Sequence, residues 1–361
     1  MNKINDKSNK VNRTNFSRLL LAWYDLKARK LPWRITPELS KKGIKNDPYN
    51  VWISEIMLQQ TNVKTVKNYY LNFINRWPDI FKLNEAEEDD ILRSWSGLGY
   101  YRRALNLKKC ARIICEKHNG NFPDNEKELL NLPGIGKYTA AAISSIAFDK
   151  SAIVVDGNIE RLIARIFEIK ENLKENNLVI YKSLETVYPK KRYGDFAQAM
   201  MDLGSLICKP INPVCNLCPV IKNCIAYKNN TFDLIPVKKK RPRKVMRKGY
   251  IFIGITLKNE IILFKRPKNG LLGGTTCPPT SDWIEGNFPS LNPPYNGNWR
   301  TLDESIFHTF THFNLELKIM IANIKIPPKN AYLEPLNPNL LSSFPTVIRK
   351  CLNLALENYF N

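Results

Sequence analysis

Residues 132–143 have the sequence LPGIGKYTAAAI, and this stretch indicates how the first part of the chain folds. Gly134 and Gly136 allow a tight turn and a close approach of the backbone to another molecule. The small residues after Lys137 favour a helix, whose first turn would present free N–H groups and the positive end of the helix dipole. The stretch therefore predicts a hairpin between two helices, which is either an ordinary turn or a phosphate-binding site.

Helical spacing of apolar residues continues on both sides of this hairpin. It predicts helices over residues 16–30, 63–77, 88–95, 101–117, 125–131, 137–148, 158–168 and 177–187. Asp47 followed by Pro48 is typical of a helix start, because aspartate caps free N–H groups and proline fits the first turn. Residues 16–225 are therefore expected to form a mainly α-helical domain.

The pattern changes at Tyr250. The segments YIFIGITL (250–257), EIILFKR (260–266) and LELKIMIANIKI (315–326) predict strands, and residues 345–359 predict a closing helix. We therefore expect a smaller α/β domain over residues 250–361. Residues 226–249, which contain the cluster KKKRPRKVMRK (238–248), are interpreted as a basic interdomain connector, and residues 1–15 as a disordered basic arm.

The formal net charge of the 361 residues is +22. Residues 226–250 alone carry nine basic and one acidic side chain. This charge favours a polyanionic partner, with nucleic acid as the first candidate, although a generally lysine-rich composition would also produce it. The sequence has neither a secretory signal nor an apolar run of about 18 residues, so an intracellular protein with no membrane partner is expected.

Four cysteines lie close together in a proline-containing loop of residues 208–224. Cys208, Cys215, Cys218 and Cys224 have the spacing C-x6-C-x2-C-x5-C. Clustered cysteines in an intracellular chain indicate a metal site more often than disulfides. Structural zinc sites usually combine two short cysteine pairs, whereas only one short pair is present, so an iron–sulfur cluster is favoured over zinc.

Two carboxylates occur among apolar residues. Glu55 lies in VWISEIMLQQT, where burial would raise the carboxyl pKa as a general acid requires; the alternative is a glutamate at a pocket rim. Asp156 follows AIVV and precedes a helix, so it is expected to be an N-cap and could also be an ionised catalytic group. An acid paired with a carboxylate is suited to cleaving a glycosidic bond.

A nucleobase would have to leave the base stack before such a pair could act on its glycosidic bond. Gln60 and Tyr100 are candidates to fill the space that the base leaves, because both lie in short segments between helices. The second of these segments, GLGYYRR, places an aromatic residue between glycines and arginines.

At this point the chain resembles the helix-hairpin-helix DNA glycosylases that carry an iron–sulfur cluster, and within them the MutY-type, A/G-specific adenine DNA glycosylases. The similarity covers residues 16–225 and rests on LPWR (31–34), DPYNVWISEIMLQQTNV (47–63), GLGYYRRALNL (97–107), LPGIGKYTAAAI (132–143), VDGNIERL (155–162), GDFAQAMMDLGSLIC (194–208) and the cysteine loop. The resemblance implies two helical subdomains with a cluster loop, followed by a Nudix-like α/β domain.

The resemblance also implies a function in DNA base-excision repair. The expected enzyme is a monofunctional glycosylase that hydrolyses the N-glycosidic bond of adenine mispaired with 8-oxoguanine or guanine and leaves an abasic site. Its expected partner is double-stranded DNA with such a mismatch, and we expect a cytoplasmic, nucleoid-associated monomer. Relatives that also cut the strand place a lysine where this chain has Tyr138, and tyrosine cannot form a Schiff base with the sugar.

Site roles follow from the resemblance residue by residue. Glu55 would protonate adenine and later handle the water, and Asp156 would stabilise or trap the sugar cation, with Asn158 and Tyr138 positioning both groups. The substrate-binding set comprises Trp33, Arg34 and Gln198 in the adenine pocket, Gln60 and Tyr100 as wedges, and Leu132, Gly134, Gly136 and Lys137 in the phosphate-binding hairpin. Cys208, Cys215, Cys218 and Cys224 would hold one 4Fe–4S cluster.

The second domain matches the family less closely. The segment KRPKNGLLGG (265–274) fits, and Phe310, Thr311 and His312 resemble the loop that touches 8-oxoguanine, although ordinary strand-edge residues are the alternative. The sequence lacks a glutamate-rich Nudix box, so pyrophosphohydrolase chemistry is not expected. Competing interpretations of the whole chain are an endonuclease-III-like glycosylase with lyase activity, which Tyr138 disfavours, and a non-catalytic iron–sulfur protein that binds DNA, which would need neither Glu55 nor Asp156.

Overall fold

The computed structural model describes residues 13–172, 178–237, 243–337, 340–341 and 343–359. The chain divides into two compact units. The first comprises Met1–Asn84 and Lys109–Lys240, and the second comprises Glu85–Lys108 and Arg241–Asn361. The second unit thus includes a segment that the sequence assigns to the helical domain.

The helices predicted from the sequence are present with shifted ends. In the described residues the helices are α1 (Arg13–Lys27), α2 (Pro37–Lys41), α3 (Pro48–Leu58), α4 (Val63–Arg76), α5 (Ile80–Glu85), α6 (Glu88–Ser94), α7 (Arg102–His118), α8 (Glu126–Leu129), α9 (Lys137–Phe148), α10 (Gly157–Ile166), α11 (Leu178–Val187), α12 (Tyr193–Leu206), α13 (Ile225–Lys228) and α14 (Thr346–Glu357). Of these, α2, α5, α12 and α13 were not predicted. No helix in the described ranges is both long and apolar enough to cross a membrane. The helical domain with a smaller mixed-sheet domain confirms the predicted fold class.

Side-chain caps fix the start of the two helices that matter most for the site. Asp47 accepts a hydrogen bond from the Tyr49 amide at 2.8 Å and starts α3, with Pro48 at its first position, as predicted. Asp156 caps α10 in the same way. Because a cap satisfies amides that have no partner within the helix, each start is set by one local residue.

Among the described residues of the second unit, seven strands form a mixed sheet. They are β1 (Val245–Thr256), β2 (Glu260–Lys265), β3 (Thr276–Cys277), β4 (Ile284–Glu285), β5 (Arg300–Thr309), β6 (Phe313–Ile324) and β7 (Tyr332–Pro335). The main order is β3-β2-β1-β6-β5, with β4 beside β1 and β7 beside β2. β1 and β6 are parallel, and the other pairs are antiparallel.

Each face of this sheet has its own apolar cover. On one face, Val347, Ile348 and Cys351 of α14 join the core of β1 and β6. On the other face, Tyr295 and Trp299 pack on the strands, with ring centroids 5.3 Å apart. Two covered faces explain why β1 and β6 are apolar over most of their length.

Segment Glu85–Lys108 is held in the second unit by polar contacts with the sheet domain. Lys265 pairs with Asp89 at 2.7 Å, and Arg93 pairs with Glu334 at 2.9 Å. The buried Ser96 hydroxyl donates to the carbonyl oxygen of Phe344 at 2.6 Å. These are tertiary contacts between distant parts of the chain, so helical spacing alone could not assign the segment to this unit.

The predicted arm and connector both differ from the structure where it describes them. Most of the arm, residues 1–12, lies outside the described residues, but α1 already begins at Arg13, and Arg18 bonds to Asn15 at 3.0 Å within it. Much of the connector is folded: α13 ends at Lys228, Thr231 donates to Glu168 at 2.7 Å, and β1 starts at Val245. Residues 238–242 lie outside the described residues.

Candidate active site

One cavity of about 800 Å³ in the first unit collects most of the catalytic and adenine-pocket residues that the sequence predicts. This volume lies in the usual range of ligand pockets, about 300–1,000 Å³. The predicted residues that line it are Trp33, Arg34, Glu55, Gln60, Gly136, Lys137, Tyr138, Asp156 and Asn158. They come from four separate stretches of the chain, and the helical fold brings them together.

Glu55 is a buried carboxyl on α3, and only 5% of its surface is exposed. The Tyr138 hydroxyl, at the start of α9, donates to its Oε2 atom at 2.6 Å. Burial raises the pKa of Glu55 to about 7; the Tyr138 hydrogen bond and the Arg34 charge oppose that rise, and the Asp156 charge adds to it. A carboxyl with this pKa can keep a proton near neutral pH and donate it.

Asp156 accepts every hydrogen bond found at its carboxylate. Oδ1 accepts from the amides of Asn158 at 2.9 Å and Ile159 at 2.7 Å, and Oδ2 accepts from the Asn158 side chain at 2.8 Å. Three donors therefore hold both carboxylate oxygens in place. The cavity therefore combines a protonatable carboxyl with a fixed anion.

Sequence reasoning missed a buried carboxylate behind the cavity wall. Asp202 on α12 is fully buried and accepts from Arg34 at 2.7 Å and from Arg29 Nε at 2.6 Å. These bonds fix both guanidinium groups, and the arginines line the cavity. The signal was a charged residue in the apolar stretch AQAMMDLGSL, the same kind of signal that identified Glu55.

Gln198 does not line the cavity, contrary to its predicted place in the adenine pocket. It is 1% exposed and donates to the Gly194 carbonyl oxygen at 3.2 Å, within α12. The cavity residues that α12 supplies are Met201 and Ser205. Positions 198, 201 and 205 lie along one face of α12, so the helix face does not separate them; the Gln198 amide instead bonds back to its own helix.

The hairpin joins α8 to α9 through the two predicted glycines. Leu132 is buried, Gly134 has φ +80°, and Gly136 caps α9. A side chain is strained at positive φ, so the conformation of residue 134 favours glycine. Lys137, the first residue of α9, is exposed and lines the cavity together with Gly136.

The candidate wedge residues lie in different units. Gln60 lines the cavity of the first unit and has φ +57°. Tyr100 belongs to the second unit, has φ +51° and is 44% exposed. Its hydroxyl contacts the Thr311 hydroxyl in the turn between β5 and β6.

The same turn contains all three residues that resemble the 8-oxoguanine-contacting loop. Thr311 and His312 are exposed, whereas Phe310 packs on Trp283 with ring centroids 5.7 Å apart. The turn thus presents two polar side chains on an aromatic base. Its position next to Tyr100 could not be predicted from the sequence.

The four clustered cysteines line a second cavity of the first unit. Burial raises the pKa of Cys218 to about 12 and that of Cys224 to about 11, and neighbouring thiols add to both shifts. No three His, Cys, Asp or Glu side chains of the described residues are placed to hold a single metal ion. Four thiols around one cavity suit a multi-iron cluster better than one zinc ion.

Arg161 connects the cysteine loop to the catalytic cavity. One of its terminal nitrogens donates to Asn158 Oδ1 at 3.0 Å and to the Gly204 carbonyl oxygen at 2.6 Å, while Nε donates to the Cys208 carbonyl oxygen at 2.8 Å. Asn158 in turn donates to Asp156. A continuous hydrogen-bonded path therefore links the Cys208 backbone to the Asp156 carboxylate.

Comparison with known proteins decides the family. Residues 53–189 match the family described as HhH-GPD superfamily base excision DNA repair protein. The adenine DNA glycosylase of Buchnera aphidicola subsp. Schizaphis graminum is 38% identical over 319 residues, which cover 86% of this chain and 88% of that relative. This chain belongs to the adenine DNA glycosylase family.

Two further matches support the family assignment. The adenine DNA glycosylase of Buchnera aphidicola subsp. Baizongia pistaciae is 43% identical over 280 residues, 75% of this chain and 77% of the relative. A solved thermostable thymine-DNA glycosylase is 31% identical and has a TM-score of 0.51; the match covers 59% of this chain and 95% of that chain. The chain is thus a helix-hairpin-helix DNA glycosylase that hydrolyses N-glycosidic bonds and removes adenine in base-excision repair.

Proposed function

We propose that this adenine DNA glycosylase acts on double-stranded DNA, at adenine paired with 8-oxoguanine or guanine, and leaves an abasic site without cutting the strand. The observation that carries the proposal is the pairing of Glu55, whose pKa is about 7, with Asp156 in one cavity. A single acid would not suffice, because the departing base needs a proton and the sugar needs an anion. The enzyme is proposed to act as a nucleoid-associated monomer.

In the proposed reaction the Glu55 carboxyl donates its proton to N7 of an extruded adenine. The C1′–N9 bond then breaks, its electron pair stays with the base, and adenine leaves as a neutral molecule. The Asp156 carboxylate stabilises the cationic sugar or bonds to it. Water adds at C1′ and gives its proton to the Glu55 carboxylate, which restores the acid.

The remaining cavity residues are proposed to orient the adenine and the two carboxyl groups. Tyr138 and Asn158 hold Glu55 and Asp156 through the hydrogen bonds described above. Trp33, which is buried against Tyr70 with ring centroids 5.3 Å apart, offers an aromatic wall. Arg34 offers a donor that Asp202 keeps in place. Tyrosine at position 138 carries no amine, so no Schiff base can form there.

The hairpin and the exposed loops are proposed to bind the duplex. The free amides after Gly136 and the Lys137 charge suit a phosphate at the start of α9. Gln60 and Tyr100 would occupy the space left by the extruded base. Thr311 and His312, exposed in their turn, would contact the base opposite adenine.

Cys208, Cys215, Cys218 and Cys224 are proposed to hold one 4Fe–4S cluster. Four thiols around a common cavity support this donor set, because thiolates are the usual ligands of such clusters. When bound, the cluster would fix the loop geometrically. The loop is already tied to the active site through Arg161.

A glycosylase assay tests the proposal directly. Duplexes that pair adenine with 8-oxoguanine, guanine or thymine are incubated with the enzyme, and alkali then reveals abasic sites. We expect release from the first two duplexes and little from the third. Glu55→Gln is expected to bind the mismatched duplex but lose base release, and near-wild-type turnover by this variant would show that the acid is misassigned.

A trapping experiment tests the monofunctional mechanism. Borohydride reduces a Schiff base to a stable protein–DNA bond, so an enzyme without a catalytic lysine should give little trapped complex. Substantial trapping, comparable with that of a glycosylase that has lyase activity, would favour the competing endonuclease-III-like function.

A further inference from the structure

Arg165 on α10 is a buried cation, and only 2% of its surface is exposed. Its Nε donates to the Ile235 carbonyl oxygen at 2.9 Å. One terminal nitrogen donates to the Lys209 carbonyl oxygen at 2.7 Å and to the Cys208 sulfur at 3.3 Å, and the other reaches the Pro210 carbonyl oxygen at 3.4 Å. None of the ion pairs found among the described residues involves Arg165.

A buried guanidinium with only neutral partners is energetically unfavourable. Removing a full charge from water costs several kcal/mol, and an opposite charge nearby can offset about that much. The nearest groups that can become negative are thiols: Arg165 lines the same cavity as the four clustered cysteines, and the Cys224 sulfur lies 3.4 Å from its carbonyl oxygen. Arg165 therefore places a buried charge beside the four cysteines that line this cavity.

We propose that Arg165 is the internal counter-ion of the iron–sulfur cluster and raises its reduction potential. The inference rests on the cluster proposed above and deepens it. A positive charge beside the cluster stabilises its reduced, more negative form, and N–H···S hydrogen bonds act in the same direction. Through its contacts with the Lys209 and Pro210 carbonyl oxygens, Arg165 also positions the backbone of the cysteine loop.

Arg161, one helical turn earlier on α10, does not share this role. Its donors reach oxygen atoms, including the Gly204 and Cys208 carbonyl oxygens and the Asn158 side chain, and none of its hydrogen bonds reaches a sulfur. The two arginines of α10 therefore make different contacts. Arg161 bonds to Asn158, which contacts Asp156, and Arg165 contacts the Cys208 sulfur.

The test measures the cluster rather than catalysis. Wild-type protein, Arg165→Gln, Arg165→Met and Arg165→Lys are purified without air, their iron and sulfide are quantified, and their reduction potentials are measured by voltammetry. We expect about four irons per wild-type chain. The Gln and Met variants should show a negative shift of the potential, and the Lys variant, which keeps the charge, a smaller one.

The matched control is Arg112→Gln. Arg112 is an exposed residue paired with Glu116 on α7, so this variant has the same change of net charge away from the thiols. Its potential should equal that of the wild type. If Arg165→Gln or Arg165→Met bound the iron–sulfur cluster and kept the wild-type reduction potential, the proposed role of Arg165 would be wrong. The proposed cluster itself would not be contradicted.

Two other outcomes are also decisive. A folded wild-type protein that binds no iron would overturn the cofactor and the counter-ion together. If neither neutral variant folds, Arg165→Lys decides: a loaded cluster with a potential near that of the wild type supports the charge role. A folded Lys variant without iron would show that Arg165 acts only through its hydrogen-bonding geometry, and the counter-ion proposal would fail.

Discussion

The hydroxyl of Tyr138 donates a 2.6 Å hydrogen bond to Glu55, which is 83 residues away in the sequence. Burial raises the pKa of Tyr138 well above its usual value, so the hydroxyl keeps its proton and remains a donor. A donor stabilises the ionised carboxylate and opposes the effect of burial on Glu55. The Glu55 pKa of about 7 is therefore the result of burial and the Asp156 charge, which raise it, and of the Tyr138 hydrogen bond and the Arg34 charge, which lower it.

Replacing Tyr138 with phenylalanine removes the donor and keeps the ring. We expect the pKa of Glu55 to rise above about 7, because burial is then less opposed. An enzyme whose acid must be protonated loses activity as the pH rises through that pKa. The alkaline limb of the pH–rate profile should therefore move to higher pH, measured as single-turnover adenine release.

Tyr193→Phe is the matched control for this variant. Tyr193 donates to the Lys190 carbonyl oxygen at an exposed position and does not line the cavity. Its profile should coincide with that of the wild type. An alkaline limb of Tyr138→Phe that stays in place or moves to lower pH would contradict the assigned role of the bond.

Glu55 also makes folding stability depend on pH. Its folded-state pKa of about 7 lies above the ordinary 4.5, so the folded protein binds more protons between these values than the unfolded chain does. Stability should therefore fall as the pH rises from about 4.5 through about 7. Glu55→Gln removes this loss, and near pH 8 it should be more stable than the wild type by up to about 3 kcal/mol.

Chemical denaturation at pH values near 5 and 8 measures this difference. Glu38→Gln is the control, because Glu38 is exposed on α2 and does not contribute a buried carboxyl. The stabilisation by Glu55→Gln should grow with pH, whereas the control should show no such growth. If the stability of Glu55→Gln relative to the wild type were lower near pH 8 than near pH 5, burial would not be destabilising the ionised Glu55 carboxylate.

The main features of the site could be predicted because they depend on short patterns. Glu55 is flanked by apolar residues on a helix, and Asp156 directly precedes one, so burial and capping follow from their neighbours. The hairpin similarly depends on Gly134, whose positive φ is a local requirement. Local patterns suffice where one residue sets the conformation of its own segment.

Features that depend on tertiary packing could not be predicted. Gln198 and Met201 lie on one face of α12, so the helical pattern alone cannot show which of them reaches the cavity. β5 was missed because Asp303 and Glu304 interrupt its apolar alternation, although it pairs with β6 through most of its length. Whether a strand forms there depends on its neighbour rather than on its own sequence.

The path from Arg161 to Asp156 predicts an effect on catalysis without a direct substrate contact. Arg161→Gln removes the charged donor to Asn158, which itself bonds to the catalytic anion. Losing a charged hydrogen bond costs about 1.5–3 kcal/mol, which corresponds to a tenfold to hundredfold slower chemical step. Single-turnover rates should fall while the Kd for a mismatched duplex changes little.

Asn158→Ala provides the coupling test for this path. If Arg161 acts through Asn158, the double variant should be little slower than Asn158→Ala alone, because both changes break one chain of bonds. The Arg112→Gln variant, changed at an exposed residue of α7, should keep wild-type rates. Fully additive losses in the double variant would show that Arg161 acts by another route.

The ion pairs that hold Glu85–Lys108 in the second unit predict a charge-swap result. Lys265 pairs with Asp89 at 2.7 Å and Lys268 with Glu88 at 3.0 Å, and α6 leads to the loop that carries Tyr100. Reversing both lysines to glutamate replaces attraction with repulsion. Since exposed pairs are each worth about 0–1 kcal/mol, amide hydrogen exchange in α6 should accelerate about tenfold at low salt.

The reciprocal change makes this prediction specific. Adding Glu88→Lys and Asp89→Lys to the reversed lysines restores opposite charges, so slow exchange in α6 should return. Reversal of the exposed Lys258 and Lys325, which changes the net charge equally, should leave α6 unaffected. High salt should reduce the difference between reversed and wild-type proteins, because screening weakens both attraction and repulsion. Fast exchange that persists in the swapped variant would mean that apolar packing, rather than charge, holds this segment in place.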